Sequence, residues 1–306
     1  MIRRPPRSTQ GVSSAASDVY KRQIDRRLCI APMMDWTDQH CRYFHRLISS
    51  HAVLYTEMIS ADALLFGPRE KLLSFNKEEL PCVLQLGGNN PDKLSKAAKY
   101  GQDNGYSEIN LNIGCPSNRV QNGSFGACLM ETPKLVAECV KVIQENCQIP
   151  VSIKCRIGID DMDEIKGLDD FVDEVSLLGT KLFIIHARKA LLNGLSPKQN
   201  REIPPLNYPR VGSLKKRRPD LKIIINGGIS KIEEIKNILN SHKNIKGICE
   251  IANDNAEGQV IVSGDKERVE SLQIVLKEKK VKFKVSLQFV GLFLMTFQCL
   301  SPNTVL

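Results

Sequence analysis

Short apolar segments alternate along this chain with longer amphipathic segments from about residue 28 to residue 250. The short segments are rich in Val, Ile and Leu, as expected for strands that are buried on both faces. Such an alternation predicts βα repeats around a parallel sheet. Eight segments are strand candidates: CIAPM from Cys29, VLYTEM from Val53, CVLQLGG from Cys82, EINLNIG from Glu108, VSIKCRIG from Val151, LFIIHAR from Leu182, IIINGG from Ile223 and IKGICEIA from Ile245.

Helix-length segments separate these strand candidates. The clearest are residues 91–104, 132–146 and 165–178, and the last two carry apolar residues at helical spacing. Eight βα units in about 225 residues fit a closed barrel better than an open doubly wound sheet, which usually has fewer strands. The sequence therefore predicts the α/β class and a (β/α)8 TIM barrel.

Polar or reactive side chains close one strand candidate after another. In barrels of this type the active site forms at the carboxyl ends of the strands. We therefore expect a functional site there. The strand-end residues are Met33, Glu57, Gln85, Asn112, Lys154, His186 and Asn226.

Composition and charge narrow the function classes only slightly. With 42% hydrophobic and 25% charged residues, the chain is typical of a soluble globular protein, and its longest apolar run, around residues 289–294, is too short to span a membrane. The net charge is +9, of which +4 lies in residues 1–23. The remaining excess is compatible with nucleic-acid binding but does not require it.

Ten cysteines are scattered along the chain without the paired C-x2-C spacing of a zinc site. Reduced, mostly buried thiols in a cytoplasmic protein are the expected state. We therefore predict no metal site and a cytoplasmic location.

The motif INLNIGCPS, residues 109–117, carries the sharpest chemical signal. Asn112 and Cys115 fall on the loop at the carboxyl end of a strand, and Pro116 stiffens the turn that presents the thiol. A cysteine without context is more often a small buried apolar residue. At this position, however, a thiol that is largely protonated at neutral pH can act as a general acid toward a developing carbanion.

Lys154 and Arg156 lie on one face of the fifth strand, because alternate residues of a strand share a face. A lysine inside a barrel needs an anionic or strongly polar partner. A strand-end carboxylate such as Glu57 and an electron-rich cofactor ring are the two alternatives.

His186 ends the sixth strand, where a histidine is as often a structural hydrogen bonder as a catalyst. The cations Arg188 and Lys189 beside it favour contact with a phosphate or a base. The seventh strand ends in Asn226, Gly227 and Gly228. This glycine pair is either an ordinary turn or the phosphate site that recurs after strands 7 and 8 of such barrels.

Taken together, seven motifs in order resemble the tRNA-dihydrouridine synthases, particularly their A branch, over about residues 28–240. One of these motifs contains the stretch GLSPKQNREIPPL, which is not expected in a generic flavin barrel. The motifs are APMMDWTD, LYTEM, QLGG, INLNIGCPSNRVQNGSFGACLM, IKCRIGID, HARKALLNGLSPKQNREIPPL and INGG.

The resemblance implies an activity, cofactors and partners. It implies bound FMN that is reduced by NADPH, and reduction of a D-loop uridine of tRNA, at positions 20 and 20a, to 5,6-dihydrouridine. Separately from the resemblance, we expect a monomer. Cys115 would be the catalytic proton donor to carbon 5 of uracil. Asn112, Arg156 and Arg188 would contact the substrate. The cofactor-binding residues would be Pro32, Met33, Gln85, Lys154, His186, Asn226, Gly227 and Gly228.

Both ends of the chain depart from this family pattern. Residues 1–23 match a transit peptide superficially but resemble a translated sequencing adapter more closely. Residues 245–284 resemble the small subdomain of a malonyl-CoA:acyl-carrier-protein transacylase, without its nucleophilic serine or catalytic histidine. We expect domain boundaries at 24–244 and 245–284, an unassigned tail at 285–306, an incomplete last barrel repeat and no C-terminal helical domain of the family type.

These departures leave other functions open. The chain could be an inactive chimeric or misassembled product, an FMN barrel oxidoreductase acting on a free pyrimidine, or a non-catalytic RNA-binding barrel. Flavin content and the choice between tRNA and a free pyrimidine distinguish them.

Overall fold

The computed structural model describes Ile24, Arg26 and residues 28–229, together with the backbone of four later strands. The predictions for residues 1–23 lie outside the described residues, as does the start of the eighth strand candidate at Ile245.

Eight parallel strands form a closed barrel in sequential order, so the predicted fold class is confirmed. The first strand pairs with both the second and the eighth, and this double pairing closes the barrel. The strands are β1 (Leu28–Ile30), β2 (Val53–Ser60), β3 (Cys82–Gly87), β4 (Glu108–Ile113), β5 (Val151–Arg156), β6 (Leu182–His186), β7 (Lys222–Asn226) and β8 (Glu250–Asn253).

Helices connect the strands within residues 28–229. Those after β3, β4 and β5 cover the ranges predicted from periodicity to within one residue at each end. The α-helices are α1 (Gln39–Ile48), α2 (Ala61–Phe66), α3 (Arg69–Leu72), α4 (Pro91–Asp103), α5 (Asn118–Asn122), α6 (Pro133–Asn146), α7 (Lys166–Leu177), α8 (Gln199–Glu202) and α9 (Tyr208–Arg217), and two 3-10 helices span Lys77–Glu79 and Gly126–Glu131.

Local sequence explains where the helices begin. The Asn90 side chain accepts a hydrogen bond from the backbone N–H of Lys93 and caps α4, and Pro91 occupies the first helical position, where its missing N–H costs nothing. Asp38 caps α1 in the same way, through the N–H of Cys41. Each cap satisfies a backbone N–H group in the first turn of its helix, which has no partner within the helix.

The barrel separates two apolar layers. Outward-facing strand residues such as Ile109 and Leu111 pack against helix residues such as Val136 and Val140 in the main core. A smaller cluster that includes Tyr55, Val83, Ile184 and Ile224 lies in the barrel interior. The interior is therefore a packed core, and in barrels of this type chemistry takes place at the mouth formed by the carboxyl ends of the strands.

Beyond the barrel, three strands form an antiparallel sheet in the order β10, β11, β9. They are β9 (Gln259–Gly264), β10 (Phe283–Leu287) and β11 (Phe293–Gln298). Strand β10 crosses the expected boundary between residues 284 and 285, and the domain boundaries stay predictions.

Within the part of the chain that the structure describes, every helix falls short of the length or apolarity that a membrane crossing requires. In the same part, no group of three or more His, Cys, Asp and Glu side chains is arranged to hold a metal ion.

Candidate active site at the carboxyl ends of the strands

The strand register brings most of the predicted site residues together. Asn112 on β4 lies beside Lys154 on β5. On the next pairs, Arg156 lies beside His186 and His186 lies beside Asn226. These five residues lie toward the carboxyl ends of four consecutive strands, and the strand register places them beside one another.

The Cys115 loop is fixed by the side chain of Asn112. Its Oδ1 atom accepts hydrogen bonds from the backbone N–H groups of Gly114, at 3.0 Å, and of Cys115, at 2.9 Å. On the other side, the carbonyl of Cys115 accepts from the N–H of Ala127 at 3.0 Å. The cysteine itself is partly exposed. The thiol is thus presented at the barrel mouth by a loop held from two directions.

Close packing under this loop depends on Gly126. Its φ of +76° lies in the left-handed region, and an added Cβ would come within 2.7 Å of the Cys115 carbonyl oxygen and 2.4 Å of the Val120 side chain. Only glycine satisfies both conditions without displacement.

A chain of amides continues below Asn112. Its Nδ2 donates to Gln85 Oε1 at 2.9 Å, and Gln85 Nε2 donates to Asn110 Oδ1 at 2.7 Å. The backbone N–H of Gln85 also donates to Thr56 Oγ1 at 3.0 Å. Gln85 was predicted to contact a flavin. The structure places its buried side chain directly beneath Asn112, with both amide atoms engaged.

Lys154 is the strand residue of β5 that keeps access to the mouth. It is partly exposed, whereas the other residues of that strand, among them Ile153 and Cys155, are buried. The alternative partner from sequence, Glu57, accepts a hydrogen bond from the backbone N–H of Asp35. Burial raises the pKa of Glu57.

Arg156 joins two loops of the mouth. Its Nε donates to the Gly114 carbonyl at 3.2 Å and its Nη1 to the Asn200 carbonyl at 3.0 Å. The side chain is buried. These contacts tie the Cys115 loop to the loop after β6, and a role as a substrate contact stays a prediction.

Arg188 and Lys189 also hold backbone. Arg188 Nη1 donates to the carbonyls of Glu202, at 3.3 Å, and of Pro204. Lys189 Nζ donates to the Met162 carbonyl at 2.7 Å. Both cations are partly exposed beside the mouth, so they shape its rim.

His186 is fully enclosed at the end of β6. Burial first, and then the positive charges of Arg156 and Lys154, hold the pKa of His186 well below its usual value. The imidazole is therefore neutral at neutral pH. It can donate or accept a hydrogen bond but contributes no charge.

The ring of His186 packs directly on Gly227. Gly227 has a φ of +106° and no Cβ that could obstruct the ring. An added Cβ would lie 2.2 Å from His186 Cδ2. The hydroxyl of Tyr208 donates to the Gly227 carbonyl at 2.6 Å. Gly228, with φ at +67°, is exposed, whereas Asn226 is buried. The glycine pair therefore forms a tight turn whose second residue offers bare backbone at the rim.

Pro32 and Met33 follow β1 and are partly exposed. The Met33 N–H donates to Thr37 Oγ1 at 3.0 Å, and the Thr37 N–H donates back to the Met33 carbonyl at 3.0 Å. This reciprocal pair closes a turn in which Asp35 adopts a φ of +65°. The turn places Pro32 and Met33 at the carboxyl end of β1.

Sequence reasoning missed several polar residues that support this site. Asn110 and Ser152 lie buried inside the barrel. Asn200 organises the loop after β6: its Oδ1 accepts from the Leu191 N–H at 2.7 Å, and its Nδ2 donates to the Leu191 carbonyl at 2.9 Å. The signal for Asn110 was present, since polar residues alternate along β4 in EINLNI. No comparable signal marks Asn200.

A closed parallel barrel that gathers a thiol, an ammonium group and a glycine turn at its carboxyl ends has the architecture of a barrel enzyme. The chain belongs to the dihydrouridine synthase (Dus) family, whose sequence model matches residues 29–279. The family resemblance inferred from the motifs is thereby confirmed. The match runs past residue 244. Two resemblances stay predictions: that of residues 245–284 to a transacylase and that of residues 1–23 to an adapter.

Three bacterial relatives illustrate the similarity. They are proteins named tRNA-dihydrouridine(20/20a) synthase from Vibrio parahaemolyticus, Shewanella oneidensis and Escherichia coli strain K12. The identities are 57% over 211 residues, 56% over 213 residues and 56% over 211 residues, respectively. The aligned segments cover 69%, 70% and 69% of this chain and 64%, 63% and 61% of the relatives. The chain thus spans less than two thirds of the length of these relatives.

Proposed function

We propose that this chain reduces uridine at positions 20 and 20a of the tRNA D-loop to 5,6-dihydrouridine, with FMN as cofactor and NADPH as reductant. The observation that carries the proposal is the partly exposed Cys115, held rigidly at the mouth by Asn112, in a chain 57% identical over 211 residues to a tRNA-dihydrouridine(20/20a) synthase. The mouth also carries Lys154 and the glycine turn.

The residues of the mouth fit FMN. At Gly227 a Cβ would collide with His186, so only bare backbone can form this turn, and Gly228 is exposed beside it. Such a turn after strand 7 suits a phosphate group. Lys154 is partly exposed, and its ammonium group suits the electron-rich pyrimidine side of a flavin, since a nearby positive charge favours the reduced form. Pro32 and Met33 would border the ring.

When bound, FMN supplies the hydride that is added to carbon 6 of uracil. Cys115 completes the reduction by giving its proton to carbon 5: the S–H bond breaks, a C–H bond forms, and the resulting thiolate takes a proton from water. The target uridine must leave its stack to reach the mouth. Four side chains would orient the flavin and the base: His186, Asn112, Arg156 and Arg188. None of them carries a negative charge, and His186 is neutral.

The partner in this proposal is tRNA, and we propose a monomeric cytoplasmic enzyme. The cations Arg188 and Lys189 at the rim support a polyanionic substrate, because cations near the mouth attract phosphate groups.

The test is a reaction of the purified chain with NADPH and tRNA that lacks dihydrouridine, followed by mass spectrometry of the nucleosides. We expect a yellow protein that forms dihydrouridine on tRNA and does not reduce free orotate. Reduction of orotate but not tRNA would favour a free-pyrimidine reductase. A colourless protein without activity, or one that binds tRNA without reducing it, would contradict the proposal.

Cys115→Ala separates the two half-reactions. We expect unchanged flavin reduction by NADPH and about a 10²- to 10⁴-fold loss in uridine reduction, the usual effect of losing a positioned general acid. Cys128→Ala is the matched control, because Cys128 is also a partly exposed free cysteine. Equal turnover of the two variants on tRNA would remove Cys115 from the mechanism.

A further inference from the structure

A column of polar side chains runs through the barrel interior below the Cys115 loop. Beneath Gln85, Asn110 Nδ2 donates to Ser152 Oγ at 2.8 Å, and the Ser152 hydroxyl donates to a carboxylate oxygen of Glu108. The other carboxylate oxygen of Glu108 accepts from the guanidinium of Arg26. We name Glu108, Ser152, Asn110, Gln85 and Asn112 the interior ladder.

The two ends of the interior ladder fix the direction of every hydrogen bond in it. At the top, the backbone N–H groups of Gly114 and Cys115 can only donate, so Asn112 must present its oxygen to them and its NH2 group to Gln85. At the bottom, the carboxylate of Glu108 accepts from both of its partners. A reversed amide anywhere between would set donor against donor or acceptor against acceptor.

The lower members of the ladder cannot touch a substrate. Glu108, Asn110 and Ser152 are 0% exposed and Gln85 is 1% exposed. The pKa of Glu108 lies above its usual value because burial, the largest effect, outweighs the opposing effects of Arg26 and the Ser152 hydroxyl. Since both carboxylate oxygens accept hydrogen bonds, the ionised form fits the geometry. The hydrogen bonds that connect Glu108, Ser152 and Asn110 to the Cys115 loop run through Gln85 and Asn112.

We propose that Glu108, Ser152 and Asn110 are positioning residues for Cys115, which set the amide orientation of Gln85 and Asn112 and thereby hold the proton-donating loop. For its catalytic consequence this inference rests on the proposed function. Its structural consequence, a loop whose backbone N–H groups are held by the column beneath them, does not.

The test uses two variants of the full chain and a matched control. Ser152→Ala removes a link three steps below Asn112, and Asn110→Ala removes the link next to Gln85. Ser95→Ala is the control, because it deletes the same atom from a buried serine whose hydroxyl donates to the Val142 carbonyl at 3.2 Å, between α4 and α6. Thermal melts verify that each variant is folded.

The first measurement is backbone hydrogen exchange of the peptide that contains Gly114 and Cys115, with a peptide from α6 as reference. We expect Ser152→Ala to exchange about fivefold faster in the first peptide and Asn110→Ala about tenfold or more, as for the loss of about one hydrogen bond. In both ladder variants the α6 peptide should be unchanged. Ser95→Ala should leave the loop peptide unchanged.

The second measurement is uridine reduction on tRNA. We expect kcat to follow the same order: lowest in Asn110→Ala, higher in Ser152→Ala and highest in Ser95→Ala. KM should be unchanged, because the buried residues do not contact tRNA. If the parent chain forms no dihydrouridine, the proposed function fails and exchange alone decides. Loop exchange in both ladder variants equal to that of Ser95→Ala would overturn the positioning role, whatever the activity.

Discussion

Replacement of Gly227 by alanine tests the tightest contact of the candidate site. The added Cβ would lie 2.2 Å from His186 Cδ2 and 2.5 Å from His186 Nε2. Real Cβ atoms do not approach other atoms this closely, so either the imidazole or the end of β7 must move. His186 is 2% exposed and has little free space to move into.

The magnitude follows from two separable costs. Alanine in left-handed backbone costs about 1–2 kcal/mol, and the stiffer unfolded chain offsets about 0.4–1 kcal/mol of this. Overpacking in a rigid environment adds about 1–3 kcal/mol. We therefore expect Gly227→Ala to lower the free energy of unfolding by about 2–4 kcal/mol.

Gly194 provides the matched control. Its φ is +84°, and an added Cβ would meet no atom within 4 Å. Gly194→Ala therefore carries the backbone cost without the collision, and we expect about 1 kcal/mol. The difference between the two variants measures the contact with His186.

Thermal unfolding followed by circular dichroism is the assay. At about 2–4 °C per kcal/mol for a domain of this size, Gly227→Ala should melt about 5–15 °C below the parent and Gly194→Ala about 2–4 °C below it. Gly227→Ala should also retain less FMN through purification. Equal melting temperatures for the two variants would refute the reasoning, because the collision would then cost nothing.

Two further predictions concern single charges. Lys154→Ala should make the reduction potential of bound FMN more negative, by about 30 mV for each tenfold loss of preference for the reduced form, and Lys154→Arg should recover part of this shift. The control is Lys99→Ala, which changes a lysine on the exposed face of α4. If Lys154→Ala and Lys99→Ala have the same potential, the role of Lys154 is only structural. Glu79→Gln should lower the free energy of unfolding by about 3–5 kcal/mol, because the guanidinium of Arg42 loses its counter-charge. In the parent chain this guanidinium lies 2.7 Å from the carboxylate of Glu79, which is fully buried. The exposed neighbour Glu78 gives the control Glu78→Gln, and similar denaturation midpoints for the two variants would contradict this.

The sequence alone determined the barrel. Five strands begin at the predicted residue, because buried parallel strands are continuous apolar runs bounded by turn residues. The exceptions are β1 and β7, which begin one residue earlier, and β8, predicted from Ile245 and observed as Glu250–Asn253.

The sequence also indicated the neighbourhood of the site. Residues such as Asn112, Lys154 and His186 end successive strands, and the carboxyl ends of parallel strands meet at one mouth. This inference requires strand order and direction, which the periodic pattern supplies. It does not require a register.

The contacts that define what each residue does were decided only by the tertiary structure. Gln85 and Asn110 are 25 residues apart, Asn110 and Ser152 are 42 apart, and Arg156 and Asn200 are 44 apart. Partners so distant are set by barrel register and loop conformation, which local periodicity does not encode. The same holds for the neutral state of His186, since its low pKa depends on enclosure and on cations carried by other strands and loops.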